Sequence, residues 1–209
     1  MSRWYRFLYG IGFRPWESDT AELGAQIARL GAAEEQGREP PYGSALDLGC
    51  GTGRWSVMLA KRGWIVTGID VVPKAIRSAR RRAREADVDL TFVEGDITSL
   101  RGSGVGSGFS LILDVECFNH LTDRQRAAAA QEIDAVAATN STILMLVWTP
   151  ARRGPLPQGA SRSDLAAAFP GWEITHEEDY EGEMPGPLKS AAPRWYRLTR
   201  TDGPRGAHT

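Results

Sequence analysis

The 209-residue chain has a length typical of one compact α/β domain and is too short for two ordinary ones. Its residues are 42% hydrophobic and 24% charged, which suits a buried core under a polar surface. The formal net charge of -1 speaks against a general nucleic-acid binder, which needs clustered Lys and Arg. Two cysteines make no disulfide framework in a domain of this size, which fits a cytoplasmic location. No apolar run reaches membrane-spanning length, and no signal-peptide cleavage site is evident.

The first 44 residues are predicted to form a helical extension that acts as a lid or cap. Apolar residues at helical spacing predict a short amphipathic helix over residues 3–11. Residues 19–22 fit a capping box for a second helix, which should end at Gly37. The segment 3–17 is rich in aromatic residues, so we expect it to cover a bound ligand.

From residue 45 to about residue 200, strand patterns alternate with helix patterns, which predicts a mostly parallel sheet covered on both faces. The last two strands have no helix between them and should pair antiparallel at the sheet edge. We therefore predict a Rossmann-like, seven-stranded α/β domain followed by a disordered tail at 201–209. The predicted strands are 45–48, 64–69, 90–93, 109–113, 142–148, 172–177 and 195–199. The predicted helices are 54–62, 73–86, 122–138 and a last one capped by Ser163 and ending at Phe169.

The sequence Leu-Asp-Leu-Gly-Cys-Gly-Thr-Gly at residues 46–53 lies where the first strand turns into the first helix. Glycines there allow a close approach of the backbone to a ligand, and nucleotides bind at this edge of open α/β sheets. The spacing G-x-G-x-G differs from the dinucleotide fingerprint G-x-G-x-x-G, and no Gly-Lys-Ser/Thr of a P-loop follows. The turn alone leaves an NAD-dependent oxidoreductase open as an alternative.

Residues 47–53 resemble motif I of class I S-adenosylmethionine (SAM)-dependent methyltransferases, and the later motifs of that family follow in order. The resemblance implies SAM as the cofactor and Asp70 as the acid that binds both ribose hydroxyls. It also implies that Asp96 and Ile97 contact the adenine. Asp114 would approach the methionine end of SAM and the acceptor. The cofactor-binding residues that we infer are Trp16, Asp47, Gly49, Cys50, Gly51, Asp70, Val71, Asp96, Ile97 and Asp114.

A narrower resemblance concerns Pro15-Trp16-Glu17, which is similar to a Pro-Trp-acid element of thiol, halide and thiopurine methyltransferases and of related quinolone or phenol methyltransferases. In that branch the N-terminal segment closes over SAM and the acceptor. The resemblance implies a small, aromatic or heterocyclic acceptor that is methylated on O, S or N. The sequence predicts no partner beyond this small molecule and no particular oligomeric state.

Methyl transfer requires few catalytic groups, because the cofactor supplies the activated methyl group. Glu116 and His120 follow the fourth strand and are the candidate bases. The residues after that strand are not Asn/Asp-Pro-Pro-Tyr, which speaks against a DNA adenine methyltransferase. The arginines of residues 77–84 are interpreted as a solvated helix face, and no spacing predicts a metal site. An RNA or protein methyltransferase, or a SAM-binding protein without turnover, remain alternatives.

Overall fold

The computed structural model describes residues 21–151, 158–184 and 191–201. The helices of these residues are α1 (Ala21–Glu35), α2 (Arg54–Arg62), α3 (Pro73–Glu85), α4 (Leu100–Ser103), α5 (Asp123–Val136) and α6 (Arg162–Ala168). The strands are β1 (Ser44–Leu48), β2 (Ile65–Asp70), β3 (Thr91–Glu94), β4 (Phe109–Val115), β5 (Ala137–Trp148), β6 (Trp172–Asp179) and β7 (Pro193–Arg200). Two short 3-10 helices follow β3 and β4, at Ile97–Ser99 and Phe118–His120.

The seven strands form one sheet with the order β3-β2-β1-β4-β5-β7-β6. The pairs β3-β2, β2-β1, β1-β4 and β4-β5 are parallel. The strand β7 pairs antiparallel with both β5 and β6. The predicted fold class is therefore confirmed, including the antiparallel pair at the edge. The parallel strands end at a common carboxyl edge, and the order of the strands reverses there between β1 and β4.

Helices cover both faces of the sheet because alternate residues of each strand point to opposite sides. On β4, Leu111 and Leu113 join a core with apolar residues of α1 and α2, whereas Ile112 joins the core formed with α4, α5 and α6. The helix α3 packs on the same side as α2, through Ala79 and Phe92.

The helix α1 runs from the carboxyl edge of the sheet to the opposite edge. Near its start, the Gln26 amide donates to the backbone oxygen of Asp179 at the end of β6 (3.1 Å). Near its end, Glu34 accepts from the hydroxyl of Thr142 (3.0 Å) and forms an ion pair with Arg197. The chain therefore enters α1 at the edge where the parallel strands end.

Two predicted boundaries were wrong. The helix expected to reach residue 138 ends at Val136, and β5 begins at Ala137. Residues 139 and 140 are exposed and the pairing with β4 shifts there, so the start of the strand lacks an alternating pattern. The last helix is capped by Ser161 rather than Ser163, because Ser161 and Asp164 form a reciprocal capping box.

Candidate active site

The glycine-rich turn after β1 has left-handed backbone at Gly49 (φ +64°), Gly51 (φ +53°) and Gly53 (φ +74°). A β-carbon added to Gly49 would lie 2.6 Å from Sγ of Cys117, and one added to Gly53 would lie 2.7 Å from Cζ of Phe92. Both the backbone conformation and the close packing therefore require glycine. The turn brings the start of α2 against the ends of β1 and β2, which is the geometry of a nucleotide-binding turn.

We expect Gly49→Ala to destabilise the fold by about 2–4 kcal/mol, since it adds left-handed strain to a steric conflict with Cys117. Urea unfolding measures this loss. Cys117→Ala should restore part of the stability, because it removes the sulfur from the path of the new methyl group. Gly37→Ala is the matched control, since Gly37 is also left-handed (φ +71°) and nothing lies within 4 Å of its added carbon. Equal effects of the two glycine substitutions would contradict the packing role of Gly49.

Asp47 is buried next to this turn, on β1. Its Oδ2 atom accepts a hydrogen bond from the Ser56 hydroxyl at 2.5 Å. Burial raises the pKa of the Asp47 carboxyl to about 7, and the Ser56 hydrogen bond opposes this rise. Ser56 lies in the first turn of α2, so the pair ties that helix to β1 directly behind the glycine turn. Sequence reasoning missed Ser56, although its place in the first turn after the glycines was the available signal.

Asp70 is the last residue of β2 and is only 7% exposed. Its two carboxylate oxygens accept from the backbone N–H groups of Gly51 (3.0 Å) and Val72 (2.8 Å). Asp70 thus joins the glycine turn to the start of α3. A carboxylate has about four acceptor positions, so these two bonds are compatible with further hydroxyl donors from a ligand. Val71, next to Asp70, is partly exposed.

Asp96 follows β3 and caps the 3-10 helix at Ile97–Ser99. Its Oδ1 atom accepts from both the backbone N–H (2.9 Å) and the hydroxyl (2.8 Å) of Thr98. Asp96 is partly exposed, whereas Ile97 is buried in the core. The neighbouring Gly95 donates its N–H to the backbone oxygen of Asp70 (3.0 Å). The ends of β2 and β3 are therefore joined, and Asp96 lies close to the Asp70 turn.

Asp114 lies near the end of β4 and is fully buried. Both of its oxygens accept from the backbone N–H of Phe118, at 3.1 and 3.2 Å. Burial raises the pKa of the Asp114 carboxyl to about 7, against the effect of this hydrogen bond. The carboxylate thereby shapes the turn that leads from β4 into the second 3-10 helix.

Asp47, Asp70 and Asp114 come from the three adjacent strands β1, β2 and β4, so the carboxyl edge of the sheet carries a cluster of buried acids. Besides burial, Asp70 raises the pKa of Asp47, and Asp47 raises that of Asp114. Mutual repulsion of this kind is relieved by a cation. A cation bound beside these acids would therefore stabilise their ionised forms.

The two cysteines of the chain lie at this edge and are buried. Cys50 is part of the glycine turn, where its N–H donates to the backbone oxygen of Ile69 (3.0 Å). Burial raises the pKa of both the Cys50 and the Cys117 thiol well above its usual value. Neutral thiols pack well but are poor nucleophiles, so their contribution at this edge is shape.

Glu116 directly follows β4 and has a left-handed backbone (φ +68°), which is unusual for a residue other than glycine. Its Oε1 atom accepts from the indole Nε1–H of Trp148, the last residue of β5, at 2.7 Å. Burial of the carboxyl raises the pKa of Glu116 to about 7, although the residue keeps a partly exposed surface. The Trp148 hydrogen bond acts in the opposite direction.

His120 ends the second 3-10 helix, and its ring centroid lies 6.4 Å from that of Trp148. Burial lowers the pKa of the His120 imidazole to about 4, so this side chain is neutral near pH 7. The structure thus brings both candidate bases to Trp148. Sequence reasoning missed Trp148, whose position at the end of a strand was the only signal.

Several other predicted features have a clear location. Trp16 and the expected lid helix lie outside the described residues. In the α3 arginine face, Arg80 donates to the backbone oxygen of Phe92 (2.9 Å) and Arg82 to that of Thr52 (3.1 Å). These two hydrogen bonds tie α3 to β3 and to the glycine-rich turn.

In the described part of the chain, no helix has the length and apolarity to cross a membrane, and no acidic, His or Cys cluster could hold a metal ion.

The fold and the site together define a class I methyltransferase domain. Residues 45–140 match the family model described as a methyltransferase domain. The chain is 32% identical over 122 residues to 2-heptyl-1-hydroxyquinolin-4(1H)-one methyltransferase of Mycobacteroides abscessus, covering 58% of this chain and 52% of the relative. It is 35% identical over 100 residues to the ubiquinone biosynthesis O-methyltransferase of Caulobacter vibrioides, covering 47% of this chain and 38% of the relative. The chain thus spans about half or less of these curated relatives.

Among solved structures, the N-methyltransferase NodS from Bradyrhizobium japonicum, in complex with S-adenosyl-l-homocysteine, shares the fold. Its TM-score is 0.71 at 18% identity, over 88% of this chain and 89% of that one. A structure described under the conversion of a disulfide bond into a thioacetal group during echinomycin biosynthesis has a TM-score of 0.71 at 24% identity, over 96% and 93% of the two chains. The predicted resemblance to class I SAM-dependent methyltransferases is confirmed for residues 45–140, which match a methyltransferase domain, and for the fold.

Proposed function

We propose that this protein transfers the methyl group of SAM to a hydroxyl oxygen of a small aromatic or heterocyclic molecule. The observation that carries this proposal is the Glu116 carboxylate, which lies at the carboxyl edge two residues beyond Asp114. It accepts a hydrogen bond from the indole N–H of Trp148. A hydroxyl acceptor must lose a proton to attack a methyl group, and a nearby carboxylate can take it. The relative named for a hydroxyquinolinone and the relative named as an O-methyltransferase support an oxygen acceptor.

The residues around the glycine turn fit SAM. Gly49, Cys50 and Gly51 form the backbone of the turn that would approach the cofactor, and the packing of Gly49 against Cys117 fixes its course. Asp70 would bind the ribose hydroxyls, with Val71 beside them. The other contacts that we infer lie at or after the ends of β1, β3 and β4. These further contacts are Asp47 behind the turn, Asp96 and Ile97 at the adenine, and Asp114 at the methionine end. When bound, SAM supplies an electrophilic methyl group on a sulfonium.

Glu116 is the better candidate base of the two. Its pKa of about 7 leaves a substantial carboxylate fraction at neutral pH and matches the task of accepting a hydroxyl proton. His120, whose pKa is lowered to about 4, is a weaker base and is suited to a hydrogen bond with the acceptor. The chemical step therefore needs Glu116 to accept the proton, while His120 orients the acceptor.

A cavity of about 520 Å³ lies next to Trp148, at the carboxyl end of the β5-β7-β6 part of the sheet. Thr149, Tyr180, Met184 and Pro193 are among its lining residues. Its volume is in the range of small-molecule sites, and its lining combines apolar surface and hydroxyl groups with the charged Asp179, Glu183 and Arg194. We assign it to the body of the acceptor, because Met184 of its lining packs against Trp148, the partner of Glu116.

The N-terminal segment is the remaining part of the proposal. The described chain enters α1 at the carboxyl edge of the sheet, where the site lies. We propose that this aromatic segment, including Trp16, covers the cofactor and acceptor and excludes water. Removal of residues 1–17 should then leave a cooperatively folded domain with most methyl transfer lost. A sharp fall of the melting temperature would instead indicate permanent packing, and full activity would contradict both roles.

Calorimetric titration with SAM, S-adenosyl-l-homocysteine and NAD tests the cofactor assignment. We expect SAM and its demethylated product to bind with micromolar dissociation constants, since both carry the ribose hydroxyls that we assign to Asp70. NAD should neither bind nor compete, because the turn has the spacing G-x-G-x-G in place of the dinucleotide fingerprint. Binding of NAD without binding of SAM would overturn the proposed function.

A further inference from the structure

Trp148 connects β5 to the turn after β4 through two of its atoms. The indole Nε1–H donates to Glu116, and the backbone N–H of Trp148 donates to Oδ1 of Asn119 at 2.9 Å. Trp148 is 1% exposed and Asn119 2% exposed, so the contact between them is shielded from water, while the contact with the partly exposed Glu116 is part-buried. Buried hydrogen bonds of this kind fix the orientation of the groups that they join.

Glu116 needs such a fixed environment because its backbone is strained. A left-handed conformation at a glutamate is unfavourable and persists only where the surroundings hold it. Here the backbone N–H of Glu116 donates to the Leu146 oxygen of β5 (3.1 Å), so β5 holds the backbone as well as the carboxylate. With this backbone, Glu116 departs from the alternating side-chain order of β4. Its carboxylate then accepts the hydrogen bond from Trp148 of β5.

We propose that Trp148 is a positioning residue, whose indole N–H holds the Glu116 carboxylate in the orientation in which it takes the proton of the acceptor hydroxyl. This inference rests on the proposed function. The same hydrogen bond lowers the pKa of Glu116 against the effect of burial, because it stabilises the ionised form. Loss of the indole N–H should therefore raise the pH at which the base becomes active.

The surroundings of the pair decide which pH change can be assigned to it. His120 is neutral near pH 7. Burial raises the pKa of Asp114, and the negative charge of Glu116 raises that pKa further. The aromatic control for this environment is Trp172, which begins β6 at the opposite edge and donates its indole N–H to Asp134 at 3.2 Å. Among the described residues, the titratable groups on the elements around Glu116 and Trp148 are Asp114, Cys117, His120, Asp179, Tyr180, Glu183 and Arg194.

The test compares Trp148→Phe with Trp172→Phe, each of which removes one indole–carboxylate hydrogen bond and keeps an aromatic ring. The probe acceptor is 2-heptyl-1-hydroxyquinolin-4(1H)-one, and kcat is measured against pH with saturating SAM. For Trp148→Phe we expect the acidic limb of the profile to move up by about one pH unit, with SAM affinity unchanged. The profile of Trp172→Phe should coincide with that of the unmodified protein. Coincidence of all three profiles would overturn the positioning role.

A second measurement does not depend on the folding of Trp148→Phe. In the unmodified protein, the NMR signal of the isotope-labelled Trp148 indole N–H should shift with pH as Glu116 titrates. The shift should vanish in Glu116→Gln, whose side chain does not ionise. An indole signal with the same pH response in both proteins would overturn the inference. If the indole follows Glu116 but the unmodified protein methylates no hydroxyl probe, the proposed function fails while the contact stands.

Discussion

Asp70→Ala is expected to lower the affinity for SAM by about 100-fold or more. The substitution removes the carboxylate that we assign to both ribose hydroxyls, and two charge-assisted hydrogen bonds contribute roughly 1.5–3 kcal/mol each. Part of the loss is indirect, because Asp70 also accepts from the backbone N–H groups of Gly51 and Val72. Both effects act on the same turn, so calorimetric titration with SAM should register their sum.

The folded state of the Asp70 variant has to be shown separately, since the carboxylate is buried and holds two backbone groups. Circular dichroism and thermal unfolding should give a cooperative transition at a reduced temperature. Asp89→Ala is the matched control, because Asp89 is exposed on the loop before β3, away from the carboxyl edge. SAM affinity that is unchanged in a folded Asp70→Ala protein would rule out the ribose role.

Glu116→Gln is expected to lower kcat for a hydroxyl acceptor by about 100- to 10,000-fold, the usual contribution of a general base. Glutamine has the same shape and its amide oxygen can still accept from Trp148, so the fold should be retained. SAM affinity should stay close to that of the unmodified protein. An acceptor whose hydroxyl is already ionised at the assay pH should be methylated with a much smaller loss.

The dependence on acceptor pKa separates proton removal from a structural effect. A damaged site would lose activity with every acceptor alike, and that result would contradict a base role for Glu116. Glu173→Gln is the control, since Glu173 is exposed on β6 and makes the same change of charge. Its kinetics should match those of the unmodified protein.

The architecture of the domain could be predicted because its determinants are local. Strand and helix patterns along the chain, together with the missing helix between the last two strands, define a mostly parallel sheet with an antiparallel edge. The error at Ala137 arose in an alanine-rich region, where helix propensity continues past the point at which tertiary pairing takes over. Propensity alone cannot locate a boundary that depends on the neighbouring strand.

The candidate site likewise combines features that the sequence indicates with features that depend on the fold. Asp47 and Asp70 could be named from the resemblance to the methyltransferase motifs, but their burial and their partners depend on strands that meet only in the fold. The contact between Glu116 and Trp148 joins residues 32 positions apart and requires the left-handed backbone at Glu116. Sequence patterns indicate neither condition, so Trp148 could be identified only from the structure.

The most direct measurement is transfer of an isotope-labelled methyl group from SAM to a panel of small molecules, followed by mass spectrometry. The panel contains 2-heptyl-1-hydroxyquinolin-4(1H)-one, phenols and catechols, with aromatic thiols and heterocyclic amines for comparison. We expect the label on the oxygen of at least one aromatic or heterocyclic hydroxyl compound. Transfer of the label to RNA or protein, with no labelled small molecule, would contradict the account.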